Sequence, residues 1–372
     1  MRFFHGVGVA LVLVALATGV PIGPGLHAQV SSVPSTREVI SRLENEVPGL
    51  MKQGGVPGMS IALIRNGKTV WLYGFGVKDK KTQAPVQTDT IFEAASLSKP
   101  VFTYGVLKLV DQGKLDLDAP LSSYLPKPYV PDERVSKITA RLVLSHRTGF
   151  PNWPGDDGSL PIYFPPGERF SYSGEGYIYL QRVVEQITGK PLNVYMDEVV
   201  FKPLEMVNSS YVWRLGFDSL TATGYDSKGE MGEKEKPKEA GAASSLNTTA
   251  KDYALFVDAV LKGKGLSSSV LRQMETPEIA LDPTCRICIK QEPKELSKTL
   301  FWGLGWGIQR DQKSVMLWHW GDNGDFKAFV MVDPARKSGV VLFANGQDAL
   351  NIAKPIIDTA MNTDALAFAW LK

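Results

Sequence analysis

The sequence predicts an α/β protein of the α+β kind, in which one antiparallel sheet is built from both chain ends and a helix-rich region is inserted between them. Three observations carry this. Two β-favouring runs near the start flank an Asn-Gly pair, three more lie between residues 314 and 343, and the chain between them shows apolar residues at helical spacing.

In order, residues 36–51 place Val39, Ile40, Leu43, Val47 and Leu50 on one side of an amphipathic helix. Residues 58–64 and 68–73 read as strands. Arg65-Asn66-Gly67 between them reads as a hairpin turn, because Asn-Gly tolerates the positive φ that a tight turn demands. Residues 100–111, 139–145, 176–188 and 192–200 read as helices, interrupted by proline-rich loops at 126–131 and 151–166. The charged stretch 228–239 reads as a solvated loop. Strands are expected at 314–320, 327–332 and 339–343, and a closing helix at 348–361. These elements divide into a sheet subdomain, 29–95 and 240–372, and a helical subdomain, 96–239, with a cleft expected at their junction.

Composition narrows the function classes. Of 372 residues, 44% are hydrophobic and 22% charged, which suits a globular protein. With 41 Lys+Arg against 39 Asp+Glu and no long basic run, nucleic acid is disfavoured as a partner. Met1-Arg2 leads into an apolar stretch, 7–20, then Pro21, Gly23, Pro24, Gly25 and Ala28. This reads as a cleavable export signal over 1–28, leaving a chain of 29–372 that is secreted or periplasmic. A membrane anchor needs about 20 uninterrupted apolar residues, so no stable insertion is expected after signal removal. Leu26 is larger than the small residue usual three positions before such a cleavage site.

Cys285 and Cys288 are the only cysteines, and export would let them close a small loop as a disulfide. Pro283 and Pro293 argue against a thioredoxin-like setting. His146 and His319 are too few and too scattered to complete a zinc site, so neither metal nor cofactor is expected.

Gly-x-Ser-x-Gly is absent, as is a phosphate-binding loop, and the glycines of 303–307 lack dinucleotide spacing. Ser96-Leu97-Ser98-Lys99 stands before the predicted helix 100–111. Three residues apart on a helical turn, the two side chains share a face, so an amine can reach the hydroxyl and help remove its proton. The same Ser96 also suits a plain helix cap.

Downstream come Tyr172-Ser173-Gly174, entering the helix 176–188, and His319-Trp320-Gly321 on a predicted strand. In this order Ser-x-x-Lys, Tyr-Ser-x and His-x-Gly resemble the penicillin-recognising serine hydrolases, closest to the class C β-lactamase and esterase branch. Segments 92–99, 142–149 and 242–252 are similar too. The resemblance implies the serine β-lactamase/D,D-peptidase fold and acyl transfer through Ser96. It implies that Lys99 and Tyr172 share the base work, that the ammonium of Lys99 lowers the phenol of Tyr172, and that His319 takes a catalytic place. The backbone N–H groups of Ser96 and Asp322 would form the oxyanion hole. Trp320, Gly321 and Gly174 would contact substrate, with Gly321 admitting its backbone.

Gly174 stands where β-lactamases of this family carry Asn, and His319-Trp320-Gly321 where they carry Lys-Thr-Gly. The expectation is an exported serine hydrolase acting on small-molecule esters or amides, with esters favoured. The alternatives are a β-lactamase, a D,D-carboxypeptidase or D-aminopeptidase, and a non-catalytic module keeping the fold. His146 reads as a structural histidine. Oligomeric state is not legible.

Overall fold

Ser35 starts the first helix. Its Oγ accepts from the Glu38 N–H and the Glu38 carboxylate accepts from the Ser35 N–H, a reciprocal cap that opens α1 (Thr36–Gln53). Asn66 and Gly67 then adopt φ of 52° and 64°, the paired positive values of a tight hairpin, and join β1 (Gly58–Arg65) to β2 (Lys68–Asp79). The computed structural model describes Met1, Phe3, residues 33–310 and residues 314–372, so nearly all of the segment read as an export signal lies outside the described residues.

The short strands β3 (Ala84–Pro85) and β4 (Phe92–Glu93) follow, then a 3-10 turn at Ala95–Leu97. The helical stretch comprises α2 (Ser98–Asp111), α3 (Ala140–Leu144), α4 (Gly174–Thr188), α5 (Leu192–Met196) and α6 (Phe217–Leu220). After β5 (Asn247–Thr248) come α7 (Ala250–Lys262) and α8 (Ser268–Met274). The chain closes through β6 (Ile279–Ala280), β7 (Leu300–Trp302), β8 (Gly307–Arg310), β9 (Val315–Asp322), β10 (Lys327–Asp333), β11 (Ser338–Ala344), α9 (Ala349–Met361) and α10 (Ala367–Leu371).

The main sheet runs β3-β2-β1-β11-β10-β9-β8-β7-β6, antiparallel throughout. β1 from the chain start pairs with β11 from its end, Ile61 opposite Leu342, so both termini do share one sheet. Successive side chains alternate between two buried layers. Ile61, Leu63, Trp318, Phe329 and Met331 pack with α1, α9 and α10 on one face. Ala62, Ile64, Leu317, Val330 and Val332 face α2, α4 and α7 on the other. Among the described residues no helix is long and apolar enough to cross a membrane.

Several expected boundaries shift: the strand predicted at 68–73 runs on to Asp79, and the helix predicted at 176–188 begins at Gly174. The helix predicted at 100–111 begins at Ser98, and the one predicted at 192–200 is α5 continued by a π-helical turn, Asp197–Phe201.

Candidate active site

The serine sits on a forced bend. Ala95 has φ 49°, the left-handed region that costs a non-glycine residue about 1–3 kcal/mol, so the surrounding contacts must over-determine it. They do. Ser98 Oγ donates to Ala95 O at 2.6 Å and accepts from the Leu246 N–H at 3.0 Å. The hydroxyls of Tyr253 and Tyr211 donate to Leu97 O and Ser98 O, at 3.0 and 2.7 Å. The result is that Ser96 alone, among residues 91–107, is not buried.

One helical turn on, Lys99 is fully buried. Its Nζ lies 3.2 Å from Ser96 Oγ and 2.8 Å from Ala243 O. Burial disfavours the ammonium and brings its pKa down to about 7. The amine stands 4.8 Å from the Tyr172 ring and 5.5 Å from the Tyr177 ring. The Tyr172 hydroxyl is buried with no hydrogen-bond partner, and burial raises its pKa well above the ordinary value. The neighbouring Ser96 side chain, and more weakly the Arg286 charge, pull the other way. The expectation of a phenol acidified by Lys99 is therefore corrected: burial pushes both groups toward their neutral forms.

His319 lies in β9, buried, with Nδ1 2.8 Å from Trp320 O. That contact assigns the ring proton to Nδ1, since a carbonyl only accepts. Burial, helped by the Lys99 charge, lowers its pKa to about 3, so the ring is neutral. Gly321 has a different reason from the one expected. A Cβ there would meet Ala94 O at 2.4 Å, so it is the chain's own backbone, just before Ser96, that approaches the strand. Trp320 is 6% exposed and packs 4.8 Å from the Tyr172 ring, forming the wall behind it rather than an open contact surface. Asp322 ends β9, its carboxylate held by Lys327 Nζ at 2.5 Å and the Gly324 N–H at 3.0 Å. Gly174 opens α4 beneath the Trp153 indole.

Sequence reasoning missed three neighbours. His146 is buried, as a structural histidine should be, with its Nδ1 accepting from the Ser173 N–H at 3.1 Å. Its ring nevertheless lies 4.3 Å from that of Tyr172, inside the site. Cys285 and Cys288 do form a disulfide, and the loop it closes is docked on the site. Arg286 O accepts from the Tyr172 N–H at 2.9 Å, and Cys288 O from Arg169 Nε at 3.1 Å. Ala243 O is a main-chain atom, and no residue type signals its use. Two surface clefts, one lined by Val260, Leu271 and Arg310 and another by Gln53, Asn351 and Pro355, contain none of the motif residues. Among the described residues no cluster is arranged to hold a metal ion.

Comparison with known proteins gives a consistent picture. A family model described as Beta-lactamase matches residues 43–357. Protein flp of Staphylococcus aureus (strain MRSA252) is 23% identical over 319 residues, covering 79% of this chain and 60% of its own length. The chain thus spans about three-fifths of that relative. N-acetylmuramyl-L-alanine amidase of Bacillus subtilis (strain 168) is 24% identical over 400 residues, covering 89% of this chain and 84% of its own. Two solved structures share the fold. The octameric penicillin-binding protein homologue from Pyrococcus abyssi superposes with TM-score 0.71 at 23% identity, over 88% of this chain and 78% of that one. D-alanine carboxypeptidase AmpC from Burkholderia cenocepacia does so with TM-score 0.74 at 19% identity, over 88% and 99%.

Proposed function

Because this chain belongs to the Beta-lactamase family, we propose that it is an exported serine hydrolase that forms an acyl-enzyme on Ser96 and cleaves small esters in preference to β-lactams. The single observation that carries the reading is Lys99 Nζ, 3.2 Å from Ser96 Oγ, in a burial that brings its pKa to about 7 and so leaves a substantial share of the amine unprotonated near neutral pH. A neutral amine keeps a lone pair for the serine proton while it donates to Ala243 O.

In this mechanism Ser96 Oγ attacks the carbonyl carbon as Lys99 takes the hydroxyl proton. The neutral Tyr172 hydroxyl gives its proton to the leaving-group oxygen and recovers one from the Lys99 ammonium. Water then attacks the acyl ester along the reverse path, releasing the acid. The N–H groups of Ser96 and Asp322 would receive the developing negative charge, each such donor being worth about 2.7–4 kcal/mol. The ester preference is supported by Gly174, which offers no side-chain amide, and by His319, which is neutral and buried and so holds no substrate carboxylate. Export is supported by the leader pattern and by the disulfide, which suits an oxidising compartment.

Turnover of p-nitrophenyl acetate beside nitrocefin tests this. The acetate should be the faster substrate, and Ser96→Ala should lose at least about a thousandfold in kcat. Faster nitrocefin turnover sinks the ester preference, and failure of a fluorophosphonate probe to label Ser96 sinks the enzyme itself. One observation favours a second reading. Arg286 is exposed and its backbone carbonyl accepts from the Tyr172 N–H at 2.9 Å, which supports a cationic residue beside the site for a peptide carboxylate. Release of D-alanine from a D-Ala-D-Ala peptide, lost in Arg286→Ala, would establish that peptidase reading.

A further inference from the structure

Position 174 is two residues past Tyr172, so its Cα is within about 7 Å of the tyrosine's. A side chain at 174 has no room. A Cβ built there would meet Trp153 Cη2 at 2.7 Å, with Cζ2 and Cζ3 each at 2.9 Å. The indole thus lies flat on the first turn of α4, filling the space any larger residue at 174 would need.

The backbone leading into Trp153 is held, because three hydrogen bonds lace residues 151–152 to that turn. The Gly174 N–H donates to Asn152 Oδ1 at 2.8 Å, the Glu175 N–H to Asn152 O at 2.9 Å, and the Ser173 hydroxyl to Pro151 O at 2.7 Å. Two of them also satisfy the first N–H groups of α4. Despite this anchoring Trp153 remains 46% exposed, in a chain whose Trp302, Trp306 and Trp318 are fully buried. A tryptophan pinned at its base and open on its far side presents a rigid apolar plane, and such planes gain most from another flat apolar group.

We infer that Trp153 is a specificity-determining residue of the Ser96 site, where its indole receives a flat apolar, aryl-bearing group of the substrate. The inference rests on the reading of Ser96 as nucleophile and deepens it by naming the substrate class. Both sides of the ester are assayed for the aryl group.

The acyl series compares p-nitrophenyl phenylacetate with p-nitrophenyl acetate, and the alcohol series compares benzyl acetate with ethyl acetate. In Trp153→Ala the aryl-to-alkyl ratio of kcat/KM should fall about tenfold in one of the two series, carried mainly by KM, while Trp153→Phe retains most of the preference. Circular dichroism and thermal unfolding confirm that each variant is folded. An independent arm uses Ser96→Ala, which cannot turn over. Calorimetry should show the aryl ester bound more tightly than the alkyl one, with the difference lost in Ser96→Ala/Trp153→Ala. If wild type hydrolyses neither ester, the proposed function falls while this binding arm still decides the inference. Ratios unmoved in both series, or equal binding with and without the indole, overturn it.

Discussion

At the scale of single residues, the site depends on burying an amine without a carboxylate partner. A general base must be unprotonated to work, so kcat/KM should rise with pH through an acid limb near 7, set by Lys99. Tyr172 lies far above that range, and His146 and His319 far below it, so none of them titrates there. A pH profile in which His319→Asn moves this limb would contradict the assignment. The same burial has a stability consequence. The folded pKa of Lys99 lies below its unfolded value of 10.5, so the folded state binds fewer protons between about 7 and 10.5. The destabilisation is full below pH 7 and fades as pH climbs to 10.5. Lys99→Met should therefore raise stability by on the order of a few kcal/mol at pH 7 and by much less at pH 10.5, as read by urea unfolding at the two pH values.

At the scale of elements, the segments carrying the motifs are held by contacts that do no chemistry. β9 reaches the 3-10 turn because residue 321 has no side chain. In Gly321→Ala the new Cβ meets Ala94 O, a backbone atom that cannot rotate aside, so strand and turn must separate. The variant should lose about 1–3 kcal/mol of stability, with kcat falling by more than KM changes; an active, fully stable variant would refute this contact as the reason for the glycine. The disulfide loop is a second such support, since it holds the Tyr172 backbone through Arg286 O. Cys285→Ser/Cys288→Ser should lower kcat several-fold and leave the acid limb near pH 7 in place, because Lys99 is held from α2 and by Ala243. Unchanged kcat in this variant would mean that Tyr172 is positioned without the loop.

At the scale of the whole molecule, the parts legible in the sequence are those with a local cause. Asn66-Gly67 specifies a hairpin on its own, and the periodicity of 36–51 specifies a helix, so the two-ended sheet followed from strand runs alone. That Ser96, Lys99 and Tyr172 come together was legible because their motifs are short and ordered. The burial of Tyr172 against Trp320, the close approach at Gly321 and the carbonyl of Ala243 were not, because each joins residues 144 to 227 positions apart that meet only after folding. Another such connection runs through Trp370 in α10, near the chain's end. It is 3% exposed, donates from Nε1 to Asp282 O at 2.9 Å, and packs 5.5 Å from Trp320, which backs Tyr172, and 5.9 Å from Phe170. The layer of terminal helices thus packs directly against the aromatic wall behind Tyr172. Trp370→Ala would leave a cavity behind Trp320 and orphan the Asp282 carbonyl, at a cost of about 3–5 kcal/mol. If the support is mechanical, kcat should fall with the melting temperature, and Trp370→Phe, which fills most of the volume, should recover both. A variant that melts earlier yet keeps full kcat below its transition would show that α10 stabilises the fold without positioning Tyr172.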